Sequence, residues 1–188
     1  SPANVQVTFY TEDGQAITPN QLFPLTGNPL SNPFTLPGGR GVSFDMAAQN
    51  LSPGRHSIVV SSDQPLSGVN WATVTGSGGV SSHGMYTAFP PDASTTAFLP
   101  AVKKAASRLG GNLSIQNLAA SQANVEVKFY NQAGQQVQQS NVQLAGYASF
   151  QLNLQQFFQL PSGFYGSVVV SSSAPVAVVN NQWGGSND

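Results

Sequence analysis

The chain has 188 residues and carries a net charge of −1, with only 7% Asp, Glu, Lys or Arg. That balance offers no basic field for nucleic acid and no polybasic stretch for an anionic membrane surface, and it opposes self-association only weakly. With no cysteine, thiol catalysis, zinc fingers and disulfide staples are excluded. Apolar stretches such as Ser167–Val170 and Ala174–Val179 fall well short of the roughly 18 residues of a membrane span.

In chain order, Val5, Val7 and Phe9 alternate with Gln6 and Thr8, which predicts a strand with one buried face. Asp13-Gly14 follows, its glycine suited to the positive φ of a two-residue hairpin turn. The Pro- and Asn-rich stretch Thr18–Pro37 reads as an insertion. Val42-Ser-Phe44 alternates again, and Pro53-Gly54 leads into the β-branched run Ile58–Ser61. Between residues 79 and 111 lies a linker holding a strand at Met85–Phe89 and another at Thr95–Leu99. Ala101–Leu109 is expected to form a helical turn or two, carrying Lys103, Lys104 and Arg108 and stopping at Gly110-Gly111. Strands are then predicted at Leu113–Leu118, at Val125, Val127 and Phe129, at Ala148–Leu152 and, after Pro161-Ser-Gly163, at Val168–Ser171.

These elements repeat. Ser1–Tyr10 lies over Ser121–Tyr130, Gly14-Gln15 over Gly134-Gln135, Ile58–Ser62 over Val168–Ser172, and Val69-Asn70 over Val179-Asn180. The offset falls from 120 to 110 along the way, which places the extra residues of the first copy in Thr18–Pro37. The fold expected is all-β, two tandem antiparallel Ig-like β-sandwich domains at 1–78 and 112–188 joined by the linker 79–111. The copies differ at their edges, because Thr95–Leu99 and Leu113–Leu118 open the second copy while the first begins at its Val5–Phe9 strand. Domain one is thus expected to expose a strand edge along an apolar groove, to be filled by Thr18–Pro37, by Met85–Phe89 or by a strand of another chain. Val5, Val7, Phe9, Met85, Tyr86, Phe89, Phe98 and Leu99 are the candidate assembly positions.

The pattern has a recognisable form: a Val-rich strand ending in Phe-Tyr, an Asp-Gly-Gln or Ala-Gly-Gln turn, a Ser-Phe strand, a Leu-Pro-x-Gly turn, then Gly166–Asn180. It resembles the tandem Ig-like repeats of large secreted surface proteins of filamentous bacteria, in which segments like Thr96–Pro100 and Leu113–Asn117 recur between units. The resemblance covers nearly the whole chain except Thr18–Pro37. It implies an extracellular scaffold, fibre or coat role and transfers no catalytic residue.

Catalysis needs titratable groups that converge, and few are present. His56 follows a turn and His83 sits in the Gly- and Ser-rich linker, and neither has a counterpart in the other copy. His83 and Asp92 could be joined to a serine on paper, but no Gly-x-Ser-x-Gly elbow accompanies them. The carboxylates Glu12, Asp13, Asp45, Asp63, Asp92, Glu126 and Asp188 are scattered, and no Asp-x-Asp-x-Asp loop marks a calcium site. No catalytic, metal or cofactor residue is therefore predicted, and both histidines are expected to be dispensable. Trp71 and Trp183 would point to one face of equivalent strands, either as core or interface aromatics or as a sugar-stacking platform.

The expectation is a non-enzymatic, extracellular structural protein, a subunit of a self-assembling filament or surface layer built as a homo-oligomer or homopolymer. Neither nucleic acid nor membrane insertion is involved. A chain that opens at Ser1 without Met accords with a removed leader or a processed piece, and so with export. The alternative is a carbohydrate-binding or adhesion module that takes glycans through its tryptophans.

Overall fold

A computed structural model of the chain describes residues 1–75, 81–90, 92–104, 109–157 and 159–184; for 72–75, 81–83, 109–110 and 183–184 it describes the backbone alone. The chain divides into two compact units, Ser1–Ser67 and Gly68–Asp188, ahead of the boundary near residue 78 suggested by the repeat. Both are antiparallel β throughout, and among the described residues there is no α-helix, only a 3₁₀ turn at Met46–Gln49. Among the described residues no helix is long and apolar enough to cross a membrane.

In the first unit β1 (Ala3–Thr11) is central, because Ala3, Val5, Val7 and Phe9 bury alternate positions while the residues between them face out. One side of β1 carries the short strands β2 (Ala16–Ile17) and β5 (Phe34–Leu36); the other carries β6 (His56–Ser62). Between β2 and β5 runs a small hairpin, β3 (Gln21–Leu22) with β4 (Leu30–Ser31). Its Leu22 and Leu30, with Val42, Phe44 and Leu51, cover the inner face of β1. Phe44 meets Phe34 edge to face, with ring centroids 6.0 Å apart. The strand expected at Val42–Phe44 is reduced to a single bridge between Pro24 and Phe44, because the inserted hairpin takes the covering role of a second sheet.

The second unit begins with a two-stranded hairpin, β7 (Val69–Thr75) with β8 (Ser81–Thr87). It continues with β9 (Thr96–Lys104), β10 (Leu109–Asn117), β11 (Ala123–Asn131), β12 (Gln136–Leu144), β13 (Ser149–Asn153), β14 (Phe164–Ser172) and β15 (Val176–Gly184). Strand order is β12-β11-β14-β9 in one sheet and β13-β10-β15 in another. Leu113, Ile115, Val176 and Val178 from the second of these share one core with Val102, Val125, Val127, Phe129, Val168 and Val170 from the first.

The repeat is reproduced residue for residue in strand register. β1 pairs with β6 as Val5↔Ser62, Val7↔Val60 and Phe9↔Ile58, and β11 pairs with β14 as Val125↔Ser172, Val127↔Val170 and Phe129↔Val168. The hairpin turns also match, though each loop has three residues instead of the expected two. Gly14 and Gly134 stand at φ 86° and 76°, and their N–H groups donate to Thr11 O and Asn131 O over 3.0 Å. The helical turn expected within Ala101–Leu109 is absent from its described residues. β9 runs through Lys104 because Val102 and Lys104 alternate inward beside β14, so strand pairing overrides local propensity; residues 105–108 lie outside the description.

Candidate functional site

The groups that could carry chemistry are engaged locally. Asp45 Oδ1 caps the 3₁₀ turn by accepting from Ala47 N at 3.0 Å, and Asp63 Oδ1 accepts from Asn4 N at 2.8 Å. Glu12 pairs with Arg55 at 2.9 Å, Asp13 accepts from the Thr11 hydroxyl, and Glu126 accepts from Lys128 and from Gln139 Nε2. The Glu126 hydrogen bond and charge hold the Lys128 ammonium above its ordinary pKa. His56 is the first residue of β6 and His83 lies on β8, so both sit in strands and not in loops; the His83 side chain is outside the description. Among the described residues no three His, Asp or Glu side chains gather as a metal site would require. Two surface hollows, of about 320 and 660 Å³, are lined by Lys103, Lys104 and Tyr165 in one and by uncharged residues such as Pro19, Phe23 and Gln49 in the other.

The candidate assembly positions fall into three places. Val5, Val7 and Phe9 are core, on a strand whose two edges are both taken. On the side opposite β6, β2 pairs with Phe9 and Tyr10, and β5 pairs with Ala3, Asn4 and Val5. The gap between them is closed by a side chain. Asn32 Oδ1 accepts from Val7 N at 3.0 Å, and Asn32 Nδ2 donates to Val7 O at 2.8 Å and to Pro19 O at 2.9 Å. In the second unit the same position, Val127, faces Ser140 of an unbroken strand. This edge is thus filled from within the chain, by β2, by β5 of the insertion and, between them, by one amide of the insertion.

The open edge belongs to β6. Its counterpart β14 pairs with β11 on one side and β9 on the other, whereas among the described residues β6 pairs with β1 alone. Val168 and Val170 are 0% exposed, while Ile58 and Val60, their equivalents, are 36% and 53% exposed. Backbone direction follows from two bonds. Val7 turns its N–H and C=O toward Asn32, so Val60 opposite it turns its own away from β1. Ser172, the equivalent of Ser62, donates its N–H over 2.8 Å to the O of Thr95, the residue just before β9. Ile58, Val60 and Ser62 therefore aim backbone donors and acceptors at the side that β9 fills in the second unit.

The remaining positions lie in the second unit. Met85 and Tyr86 are on β8, where Trp71 stands directly opposite Met85; their exposures are 71% and 73%. Asn70 Nδ2 donates to the Tyr86 hydroxyl at 2.6 Å, and the rings of Tyr86 and Phe89 are 6.5 Å apart. Phe98 and Leu99 are on β9, where Leu99 packs against the core and Phe98 faces outward. Trp183 lies on β15, with its side chain outside the description.

Three polar side chains are buried that the sequence did not mark as buried. Gln49 brackets Phe23 as Asn32 brackets Val7, accepting from its N–H at 3.0 Å and donating to its C=O at 2.7 Å. Lys104 Nζ donates to Phe157 O and Leu160 O, both at 2.7 Å. Asn117 donates to Ser121 O at 2.7 Å and Ala145 O at 2.9 Å. Strand parity signals the last two, since Lys104 follows Val102 by two and Asn117 follows Ile115 by two. Asn32 lies in an irregular segment and Gln49 ends a one-turn 3₁₀ element, where no strand periodicity applies.

No family model and no curated protein matches the chain. Among solved structures it is similar to the Anabaena sensory rhodopsin transducer, at TM-score 0.42 and 15% identity over 47% of this chain and 88% of that one. It is also similar to Thermotoga maritima 1070, at TM-score 0.42 and 16% identity over 52% of this chain and 97% of that one. A third likeness is to the infectious bursal disease virus Gx strain structure, at TM-score 0.29 and 10% identity over 96% of this chain and 50% of that one.

Proposed function

We propose that the protein is a secreted, non-enzymatic structural subunit of a filament or surface layer, built from two Ig-like sandwich repeats, of which the first is completed only on assembly. The observation that carries this reading is the contrast between Val168 and Val170, buried at 0%, and Ile58 and Val60, exposed at 36% and 53% in the same register. An uncovered apolar strand edge is a template for another strand. A chain with so few charges resists that approach only weakly. The resemblance to repeats of secreted surface proteins gives the same role and the extracellular setting. The test is negative-stain microscopy with sedimentation of the purified chain over a wide concentration range. Ordered polymers that grow with concentration are expected, and a monomer at every concentration overturns the reading.

A second reading, a glycan-binding module, is favoured by Trp71, whose ring is presented on the open hairpin. Glycan-array binding that disappears in Trp71→Ala would establish it; an array without binding removes it.

A further inference from the structure

We propose that copies join head to tail by antiparallel strand addition, the β8 edge of one copy pairing with the β6 edge of the next. This rests on the assembly reading above and names its two contacting edges. On the acceptor, Ile58, Val60 and Ser62 direct their backbone groups outward, and the side chains of Ile58 and Val60 share the face of Val7 and Phe9. On the donor, Ala88 N donates to Gly68 O at 2.8 Å, so even-numbered residues of β8 bond toward β7. Met85 and Thr87 therefore aim their N–H and C=O at the opposite edge, where no strand pairs among the described residues.

The same residues satisfy a second, independent condition. Directly opposed residues of an antiparallel pair share a face, so setting Met85 and Thr87 against Ile58 and Val60 brings Met85 into line with the open apolar surface. Trp71 and Val69, opposite Met85 and Thr87 on β7 and exposed at 71% and 63%, extend it. A slip of one residue would turn the apolar face away and misdirect the backbone groups at once. The other face of β8 turns toward β15, since a Cβ on Gly84 would lie 3.7 Å from Asn181 Oδ1. Neither edge is guarded: β6, β7 and β8 contain no Asp, Glu, Lys or Arg and no proline, whereas the outer strand β9 carries Pro100, Lys103 and Lys104.

The occupant is a second copy because a chain cannot supply this pairing to itself. An antiparallel order β6-β8-β7 in one sheet would make β6 and β7 parallel, and parallel strands of one sheet need a crossover connection of about a dozen residues or more. Only residues 63–68 join them. One donor edge and one acceptor edge give a heterologous interface, which repeats from copy to copy and grows into a filament unless the rotation per copy closes it into a ring.

Sedimentation of the full chain and its variants tests this. Val60→Pro removes an acceptor N–H and Thr87→Pro a donor N–H, each leaving its intramolecular ladder intact. Each variant alone is expected to stay monomeric, and an equimolar mixture to stop at a heterodimer, because each retains the edge that the other has lost. Val60→Lys and Met85→Lys, which keep every backbone N–H, are expected to behave alike and cover the case of a proline variant that fails to fold. If the parent chain polymerises and all four variants polymerise equally, this pairing is wrong while the assembly reading stands. If the parent chain is monomeric throughout, both fail. Antiparallel contacts between β6 and β8 within one labelled chain would also overturn the proposal.

Discussion

β14 is held between two strands, with Val168 and Val170 out of contact with water, whereas β6, which presents Ile58 and Val60 at the same places, has one strand neighbour among the described residues and a wet apolar face. Sequence alone makes the two strands look alike, for both are β-branched runs ending in Ser-Ser. What separates them lies elsewhere in the chain. β14 receives β9 and, across the core, Leu113 and Ile115 of β10, while the first unit spends its extra residues on the other side of β1. The comparison teaches that a strand's burial is set by its neighbours more than by its composition.

Four changes would break or sharpen that contrast. The largest effect is expected at Phe129, fully buried against the rings of Phe157 and Phe164 at 5.5 and 6.2 Å. Phe129→Ala should cost about 3–5 kcal/mol in urea unfolding of the second unit, and a loss below about 1 kcal/mol would mean that this core is not closed as described. Next comes Asn32→Ala, which strips Val7 of both its hydrogen bonds on that edge. Roughly 1–3 kcal/mol should be lost from the first unit, and near-neutrality would show that the amide does not substitute for a strand. Val60→Ala in dilute solution is expected to stay within about 0.5 kcal/mol of the parent, as surface changes do, in contrast to Val170→Ala. Equal costs at the two sites would erase the distinction between the units.

The smallest effect is expected at Glu126. Glu126→Gln removes the main cause of the raised Lys128 pKa, so an NMR titration should find that pKa lowered toward its ordinary value. The sign follows from the direction of the shift: a raised lysine pKa adds stability below its unfolded pKa, and that stability fades as pH rises through the folded one. With both side chains at the surface and about a third exposed, at 30% and 33%, the pair should leave unfolding nearly unchanged near neutral pH. Any measurable destabilisation there would show a role that its exposure does not explain.

Much of the fold was legible because its signals are local or periodic. The alternation of Val5, Val7 and Phe9, the glycines 14 and 134, and the repeat itself mark strands, turns and strand register directly. The closure of the first unit was not legible, since it depends on Asn32 and Gln49 acting as backbone partners from a bend and from a one-turn 3₁₀ element. Lys104 misled in another way: a basic cluster before two glycines mimics a helix end, yet the ammonium is tied to the carbonyls of Phe157 and Leu160. The candidate site was half legible. The asymmetry of leading strands pointed to an incomplete first repeat, but it drew attention to β1, where both sides are occupied, and the open side is on β6.

Hydrogen exchange at single-residue resolution tests the central claim most directly. In dilute solution the amides of Ile58, Val60 and Ser62 should exchange fast, while those of Val168, Val170 and Ser172, in the same register, are protected. On assembly the first set should become protected as well. Equal protection of both sets in the dilute monomer would contradict the account, because it would mean that the edge of β6 is already closed.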